Sequence, residues 1–267
     1  MLTAGRGLWR TFVLLLTIAE AMVRFLGLLL RSRFHPSVRE RAAWLHHACG
    51  QALRRLDIHW SSQGLQPTNG LIVANHLSYL DILMFSATMP CVFVSKLEVV
   101  HWPIFGRMAQ MSGTIFINRR RSVETLQAGE AMEAALQQNI PVILFPEGSS
   151  SDGTAVLPFY PALFEPAVRL AMNVTPAHIR YAVESGTVEN DVCYWGEMTL
   201  VPHLFKLLSK RKITGCICFS SHPEIYRDRK KAAMSTREEI LRMKGGCESP
   251  AEIDCAPLSG EGAGISL

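Results

Sequence analysis

Short apolar runs alternate with helical patterns along most of this chain. Apolar runs predict strands at residues 58–60, 71–74, 91–94, 113–119, 141–145, 174–179, 192–195 and 213–219. Helical spacing predicts helices at residues 41–56, 122–138, 161–172, 198–210 and 228–244, with another beginning near Ile82. Residues 102–106 are interpreted as a loop or broken helix. Strands that alternate with helices favour an α/β fold with its site beyond the strand ends.

The first segment, residues 8–30, is mostly apolar. Its charged residues are Arg10, Glu20 and Arg24. The longest uncharged run, residues 11–19, is shorter than the about twenty apolar residues that a spanning helix needs. A cleaved signal peptide also fits the small residues beside Glu20, but apolar sequence continues past them and ends in basic residues. We predict an uncleaved, membrane-associated helix over residues 1–34, interfacial or one tilted span, with an amphipathic helix packed on its own domain as the alternative.

The length and the end of the chain indicate one domain with appendages. The 267 residues are enough to bury a full core, and we assign residues 35–244 to one catalytic domain. From Gly245 the chain becomes rich in Gly, Ser and Pro. Residues 245–267 are therefore predicted to form a disordered tail.

The composition favours a protein that works at a membrane surface. Hydrophobic residues make up 48% and charged residues 19%, which is too polar for a multi-span membrane protein and apolar for a freely soluble enzyme. The net charge is +4, and Arg is concentrated near the start of the chain. A basic end beside apolar sequence indicates an anionic membrane surface. No nucleic-acid-binding signature occurs in the sequence, so we expect no nucleic-acid partner.

The cysteines indicate neither disulfides nor a metal site. There are 7 of them, an odd and scattered set that does not form a disulfide framework. Cys216 and Cys218 lie two positions apart in a predicted strand, and we expect their side chains to face opposite ways. The spacing typical of zinc ribbons does not occur in the sequence. We predict buried thiols in a reducing compartment, no metal and no bound cofactor.

The first candidate site is the stretch from Asn75 to Asp81. His76 follows the strand 71–74, and Asp81 falls in the first turn of the next helix, so the two side chains can meet. The carboxylate would then fix the tautomer of the imidazole and leave the other nitrogen free as a base. The alternative is that Asn75 or Ser78 caps the helix and His76 is an ordinary loop residue.

Two more polar clusters follow apolar strands. Arg119, Arg120 and Arg121 end the strand at 113–119, and residues 147–153 follow the strand at 141–145. Strand ends in an α/β sheet converge on one crevice, so we expect the three clusters to form one site.

Four blocks in this order resemble the glycerolipid acyltransferases, enzymes similar to 1-acylglycerol-3-phosphate acyltransferase. The blocks are His76-x4-Asp81, Gly113–Arg119, Phe145–Gly148 and Val174–Pro176. The resemblance covers about residues 58–244. It implies a glycerol-3-phosphate acyltransferase-like fold, a mixed sheet flanked by helices. It also implies O-acyl transfer from acyl-CoA or acyl carrier protein to a lysoglycerolipid hydroxyl, with 1-acylglycerol-3-phosphate converted to phosphatidic acid.

The resemblance also implies roles for single residues. His76 would be the base and Asp81 its orienting partner. Arg119 would bind the acceptor head group, with a solvated strand-end charge as the alternative. Glu147 and Gly148 would position the acceptor, with a capping carboxylate as the alternative for Glu147. The remaining expected substrate-binding residues are Asn75, Ser78, Lys96, Gly113 and Ser149, and for Lys96 a plain surface lysine is the alternative.

The residues themselves agree with direct acyl transfer. An alcohol needs a base as it attacks, whereas a thiol of pKa ~8.5 leaves as thiolate without a strong acid. Gly148–Asp152 is not a Gly-x-Ser-x-Gly elbow, which argues against a serine hydrolase. A non-catalytic lipid-binding protein of the same fold needs neither His76 nor Asp81.

The third block departs from the family pattern. It commonly continues Thr-Arg-Ser, but here it continues Ser149-Ser150-Ser151, so one candidate phosphate contact is missing. The sequence from Ser151 through Phe164, and around Trp195, resembles a branch containing lyso-ornithine-lipid acyltransferases. Acylation of lyso-ornithine lipid or a lysophospholipid is therefore the alternative function. The expected location is the cytosolic face of the inner (cytoplasmic) membrane.

Overall fold

Helices and strands alternate along residues 2–117 and 122–246, which this computed structural model describes. The helices are α1 (Leu2–Arg31), α2 (Val38–Arg55), α3 (Leu80–Thr88), α4 (Phe105–Ser112), α5 (Ser122–Gln137), α6 (Glu165–Arg169), α7 (Val188–Asp191), α8 (Leu200–Ser209) and α9 (Arg229–Gly246). The strands are β1 (Ile58–Gln63), β2 (Leu71–Ala74), β3 (Val92–Lys96), β4 (Ile115–Ile117), β5 (Val142–Leu144), β6 (Val174–Val183) and β7 (Ile213–Phe219). Short 3-10 turns, Leu97–His101 and Pro161–Phe164, precede α4 and α6.

Within the described residues the strands form a 7-stranded sheet in the order β1-β7-β6-β2-β5-β3-β4. Neighbouring strands pair in parallel except β6 and β7, which are antiparallel. A parallel pair needs a crossover connection, and helices supply most of these crossovers here. The carboxyl ends of β2, β3 and β5 therefore lie at the same edge of the sheet, where α/β folds form their sites.

The sheet separates two apolar layers. On β2, Ile72 and Ala74 face a layer that includes Phe85 of α3, whereas Leu71 and Val73 face the layer formed with α5, α6 and α9. This alternation arises because successive strand residues point to opposite faces. Burial on both faces explains why β2 is an unbroken apolar run. Each fully buried large apolar side chain stabilises the fold by about 1.5–3 kcal/mol, so the strand ends are firmly held.

Three predicted elements differ from the structure. The strand predicted at 192–195 is wrong. This segment follows α7 and pairs with no strand among the described residues. Residues 102–106, interpreted as a loop or broken helix, form a bend and turn that leads into α4 at Phe105, so the longer helix that follows was not predicted. At the C-terminus, α9 continues through Gly246, and residues 247–267 of the predicted tail lie outside the described residues.

The expectation that Cys216 and Cys218 face opposite ways is also wrong. Their sulfur atoms lie 3.8 Å apart on one face of β7. Strand side chains alternate with a period of two, so residues i and i+2 share a face. In the described ranges, 2–117 and 122–246, no group of three or more His, Cys, Asp and Glu side chains could hold a metal ion.

The helix α1 packs on the rest of the domain along one face. The Trp44 indole donates to the Ala21 carbonyl at 2.8 Å, and the rings of Trp44 and Phe25 lie 4.9 Å apart. The opposite face exposes large apolar side chains, namely Leu8, Trp9, Phe12, Leu15, Leu16, Val23, Leu26 and Leu30. By length and composition, Thr3–Arg31 could also cross a membrane. The helix thus has one packed face and one unpacked apolar face.

Candidate active site

His76 and Asp81 are in direct contact at the carboxyl end of β2. The His76 Nδ1 atom lies 2.7 Å from Asp81 Oδ2. A carboxylate only accepts hydrogen bonds, so Nδ1 carries the proton and Nε2 is left available to a substrate. Asp81 is fully buried, and His76 is partly exposed. This is the geometry of an imidazole oriented by a carboxylate.

The turn before α3 folds around the carboxylate of Asp81. The backbone N–H groups of Leu77 and Ser78 donate to Oδ2 at 2.7 and 3.1 Å. The helix begins after Tyr79 without a side-chain cap in the described structure. The capping alternative for Asn75 or Ser78 is therefore wrong. The hydrogen bonds that Asp81 accepts from this turn hold it in the conformation that places His76 next to the carboxylate.

Asn75 ties this turn to the neighbouring strand. Its side-chain amide donates to the Ile179 carbonyl at 3.0 Å, and its carbonyl oxygen accepts from the Ile179 N–H at 2.8 Å. Ser78 is fully buried, and its hydroxyl has no partner within the described part of the chain. Neither side chain lines the cavity beside His76. Their predicted substrate-binding roles stay predictions, but the geometry favours a structural one.

The loop after β5 forms hydrogen bonds with both backbone groups of His76. Glu147 Oε1 accepts from the His76 N–H at 2.8 Å, and the Ser151 N–H donates to the His76 carbonyl at 2.9 Å. The ring of Phe145 stacks on the imidazole with centroids 4.2 Å apart. The third block of the sequence thus fixes the base in place.

Both carboxylate oxygens of Glu147 accept hydrogen bonds from backbone N–H groups. Oε2 accepts from the Leu157 N–H at 2.8 Å, in addition to the His76 contact of Oε1. Burial raises the pKa of Glu147, and the two backbone hydrogen bonds partly offset this shift. The arrangement is that of a turn-capping carboxylate. Contact of Glu147 with an acceptor stays a prediction.

A cavity of about 270 Å³ opens beside His76, and we call it the site cavity. Lys96, Gly148 and Ser149 line it together with His76, so the structure brings these predicted residues together. Gly148 has φ +73°, a left-handed conformation that favours glycine, and it turns the chain along the cavity wall.

Two predicted residues fall elsewhere. Gly113 ends α4 with φ +84° and lines a different cavity beside Arg41. Its conformation explains the glycine without a substrate contact. Arg119, with Arg120 and Arg121, lies outside the described residues. Its proposed contact with the head group stays a prediction.

A second, apolar cavity of about 140 Å³ adjoins the site cavity, and we call it the apolar cavity. The two share the wall residues Tyr79, Ile82, Ser95, Val99 and Trp102. The rest of the apolar cavity is lined from several helices, including Leu14 and Ile18 of α1 and Ala48 and Ala52 of α2. A ligand at His76 therefore has a few polar groups, among them Lys96 and Ser149, in the same cavity and an apolar recess beside it.

Sequence reasoning missed Tyr181. Its hydroxyl donates to Asp81 Oδ1 at 2.6 Å from the neighbouring strand β6. The available signal was alternation along β6, where Ala177, Ile179 and Tyr181 continue one buried face. No spacing rule links Tyr181 to Asp81, because the contact spans 100 residues.

The fold and the site define a class: an α/β protein with a carboxylate-oriented histidine in a cavity that adjoins an apolar recess. Residues 55–180 match the model of the Acyltransferase family. They contain the His76–Asp81 pair and the loop of Glu147. These residues therefore form an acyltransferase-family domain, and the resemblance drawn from the four blocks is confirmed.

Proteins similar to this chain carry two kinds of name. A 1-acyl-sn-glycerol-3-phosphate acyltransferase of Neisseria gonorrhoeae is 37% identical over 150 residues, which cover 55% of this chain and 58% of that protein. A lyso-ornithine lipid O-acyltransferase of Rhodobacter capsulatus is 35% identical over 145 residues, 52% of each chain. One of Rhizobium meliloti is 29% identical over 233 residues, 80% of this chain and 79% of that protein. The chain thus matches little more than half the length of the first two.

The fold is similar to the crystal structure of the 1-acyl-sn-glycerophosphate acyltransferase from Thermotoga maritima. The TM-score is 0.59 at 16% identity, covering 91% of this chain and 99% of that one. At this identity the likeness concerns the fold alone. It confirms the predicted fold class, a mixed sheet flanked by helices.

Proposed function

We propose that the protein is an O-acyltransferase that moves an acyl chain from acyl-CoA or acyl carrier protein to the hydroxyl of a lysoglycerolipid. The proposed acceptor is 1-acylglycerol-3-phosphate, and the product is phosphatidic acid. The observation that carries the proposal is the 2.7 Å contact of His76 Nδ1 with Asp81 at the edge of the site cavity. It leaves Nε2 able to take a proton from a hydroxyl.

The reaction proceeds in one acyl-transfer sequence. His76 Nε2 takes the hydroxyl proton as the acceptor oxygen attacks the thioester carbonyl. A C–O bond forms, the C–S bond breaks, and the proton passes to the thiol product. Asp81 stabilises the imidazolium between these steps, as the carboxylate of a catalytic triad does. No serine nucleophile is needed, which favours direct attack over an acyl-enzyme.

The two cavities offer different surroundings to the acyl chain and the head group. The apolar cavity fits an acyl chain, because its wall is made of apolar and small side chains. Lys96 gives the site cavity a cation for an anionic head group, and Gly148 and Ser149 line the same wall. Arg119 is proposed to add a second cation by its position in the sequence.

Lyso-ornithine lipid is the second candidate acceptor. Two observations favour it: relatives of that name align with this chain, and Ser149–Ser151 lacks the arginine of the usual third block. A zwitterionic head group has less need of that arginine than a phosphate monoester has. Both acceptors use the same base and the same thioester chemistry.

The contacts of α1 support a helix that lies in the plane of the membrane surface and attaches the protein there. Arg10 on α1 is buried and donates to the Lys210 carbonyl at 2.6 Å, and Glu20 pairs with Arg55 at 2.7 Å. If α1 spanned the bilayer, these charged side chains and the domain surface that they contact would lie in or near the hydrocarbon. The transfer of charged groups into hydrocarbon costs much free energy. The exposed apolar face of α1 would lie in the lipid interface instead. The proposed location is the cytosolic face of the inner membrane.

The test is transfer of a labelled acyl chain by the purified full chain in lipid vesicles. Acyl-CoA and acyl carrier protein are each offered with 1-acylglycerol-3-phosphate, lyso-ornithine lipid and neutral lysolipids. We expect esterified lipid, and no product from His76→Ala, while the exposed His222→Ala retains activity. Free fatty acid released without an acceptor would indicate a hydrolase. Turnover by folded His76→Ala would refute the assignment of the base.

A further inference from the structure

The carboxylate of Asp81 accepts hydrogen bonds on both oxygens. Oδ2 takes three donors, which are His76 Nδ1 and the N–H groups of Leu77 and Ser78. Oδ1 takes the hydroxyl of Tyr181 at 2.6 Å. Tyr181 lies on β6 (Val174–Val183), so this fourth donor comes from outside the turn that holds His76.

A fully buried carboxylate depends on its donors, because burial removes the hydrogen bonds of water. The three donors on Oδ2 come from the turn that holds His76. Without the Tyr181 hydroxyl, Oδ1 loses its hydrogen bond inside an apolar environment. A carboxylate that turns about its Cβ–Cγ bond to bring Oδ1 toward another donor moves Oδ2 away from the imidazole.

Tyr181 is placed to act as a constant donor. Its side chain is 3% exposed on β6, and burial raises the pKa of its phenol well above the ordinary value. The hydroxyl therefore stays protonated at neutral pH. The Asn75–Ile179 hydrogen bonds join the same strand to the turn of His76, so the distance from Tyr181 to Asp81 is set by the sheet.

We propose that Tyr181 is a positioning residue for acyl transfer, whose hydroxyl holds the Asp81 carboxylate in the orientation that aligns His76. The inference rests on the proposed function. Tyr181 does not line the site cavity or the apolar cavity in the described structure, so its effect must pass through Asp81. It should alter the rate of the chemical step and leave substrate binding unchanged.

The test compares Tyr181→Phe with wild type in the vesicle assay at neutral pH. We expect kcat to fall about 10- to 100-fold, the effect of losing a hydrogen bond to a charged group. The KM for both substrates should stay within about two-fold, because neither cavity changes. Tyr181→Met, which fills the space without a hydroxyl, should give a similar loss of kcat. Tyr226→Phe is the matched control, a buried tyrosine in the other apolar layer, and should leave kcat within about two-fold.

The outcomes separate the inference from the proposed function. An unchanged kcat in folded Tyr181→Phe or Tyr181→Met would overturn the positioning role. A raised KM with unchanged kcat would overturn it too, because it would indicate substrate contact. An equal loss in Tyr226→Phe would point to general destabilisation and count against the role. An inactive, folded wild-type protein would refute the proposed function and, with it, this inference.

Discussion

The site cavity and the apolar cavity share a wall but are built differently. The site cavity is lined from strand ends and the turns after them, and its chemistry depends on His76 and Lys96. The apolar cavity is lined largely from helix faces, with small side chains such as Ala48 and Ala52. Strand ends can hold a polar group at a set distance, whereas helix faces offer apolar surface over a greater length. Changes in the two cavities should therefore alter different kinetic constants.

Of the four changes considered next, Asp81→Asn should have the largest effect, a loss of kcat. The amide cannot stabilise the imidazolium, so kcat should fall on the order of 10³- to 10⁴-fold with little change in KM. Steady-state kinetics in vesicles measures this loss. Circular dichroism and the melting temperature confirm that the variant is folded. A fall of less than ten-fold in the folded variant would contradict the role of Asp81.

The apolar cavity should respond to Ala52→Leu with altered chain-length preference. The larger side chain fills part of the recess, so kcat/KM for the longest acyl donors should fall about ten-fold relative to shorter ones. A series of acyl-CoA lengths measures the change. Ala43→Leu, on the exposed side of the same helix, is the control. An equal loss for all chain lengths would argue that the acyl chain lies elsewhere.

The exposed face of α1 should respond to Leu16→Glu with weaker membrane binding. A charge on the apolar face opposes insertion into the interface, and vesicle binding should fall about 5- to 10-fold. Vesicle sedimentation measures the bound fraction. Leu65→Glu alters an exposed leucine away from α1, and it should bind as wild type does. Unchanged binding of Leu16→Glu would exclude this face as the membrane contact.

Lys96→Met should have the smallest effect, a rise in the KM for the acceptor. Lys96 is exposed, so its charge should contribute only about five-fold to KM for 1-acylglycerol-3-phosphate. The KM for acyl-CoA should not change. Lys230→Met removes an exposed charge on α9 and serves as the control. An equal rise in both KM values would argue against a head-group contact.

Local patterns predicted much of the fold. The runs at 71–74, 174–179 and 213–219 became β2, β6 and β7, because their apolar residues can be buried only in a sheet covered on both faces. The run at 192–195 failed as a strand. Val192 and Cys193 are buried, but their N–H groups donate to the Val188 carbonyl of α7, and no strand pairs with them among the described residues. Short apolar runs carry no information on whether a neighbouring strand is available.

The candidate site, like the fold, was predicted from the sequence only in part. The five-residue spacing of His76 and Asp81 allowed their contact across a strand-to-helix turn, the resemblance of the four blocks favoured it, and the structure confirms it. Spacing did not predict that Glu147 would bind two backbone N–H groups or that Gly113 would end a helix at another cavity. Those outcomes depend on which loops the sheet order brings together.

The amino-acid sequence by itself determined the α/β alternation, the apolar first helix and the histidine–carboxylate pair, because each depends on residues close together in the chain. Only the tertiary structure decided that β6 delivers the Tyr181 hydroxyl to Asp81, that the loop of Glu147 clamps His76, and that α1 lines the apolar cavity. These contacts join segments that are distant in sequence. Their partners are chosen by strand order and helix packing, which no local pattern encodes.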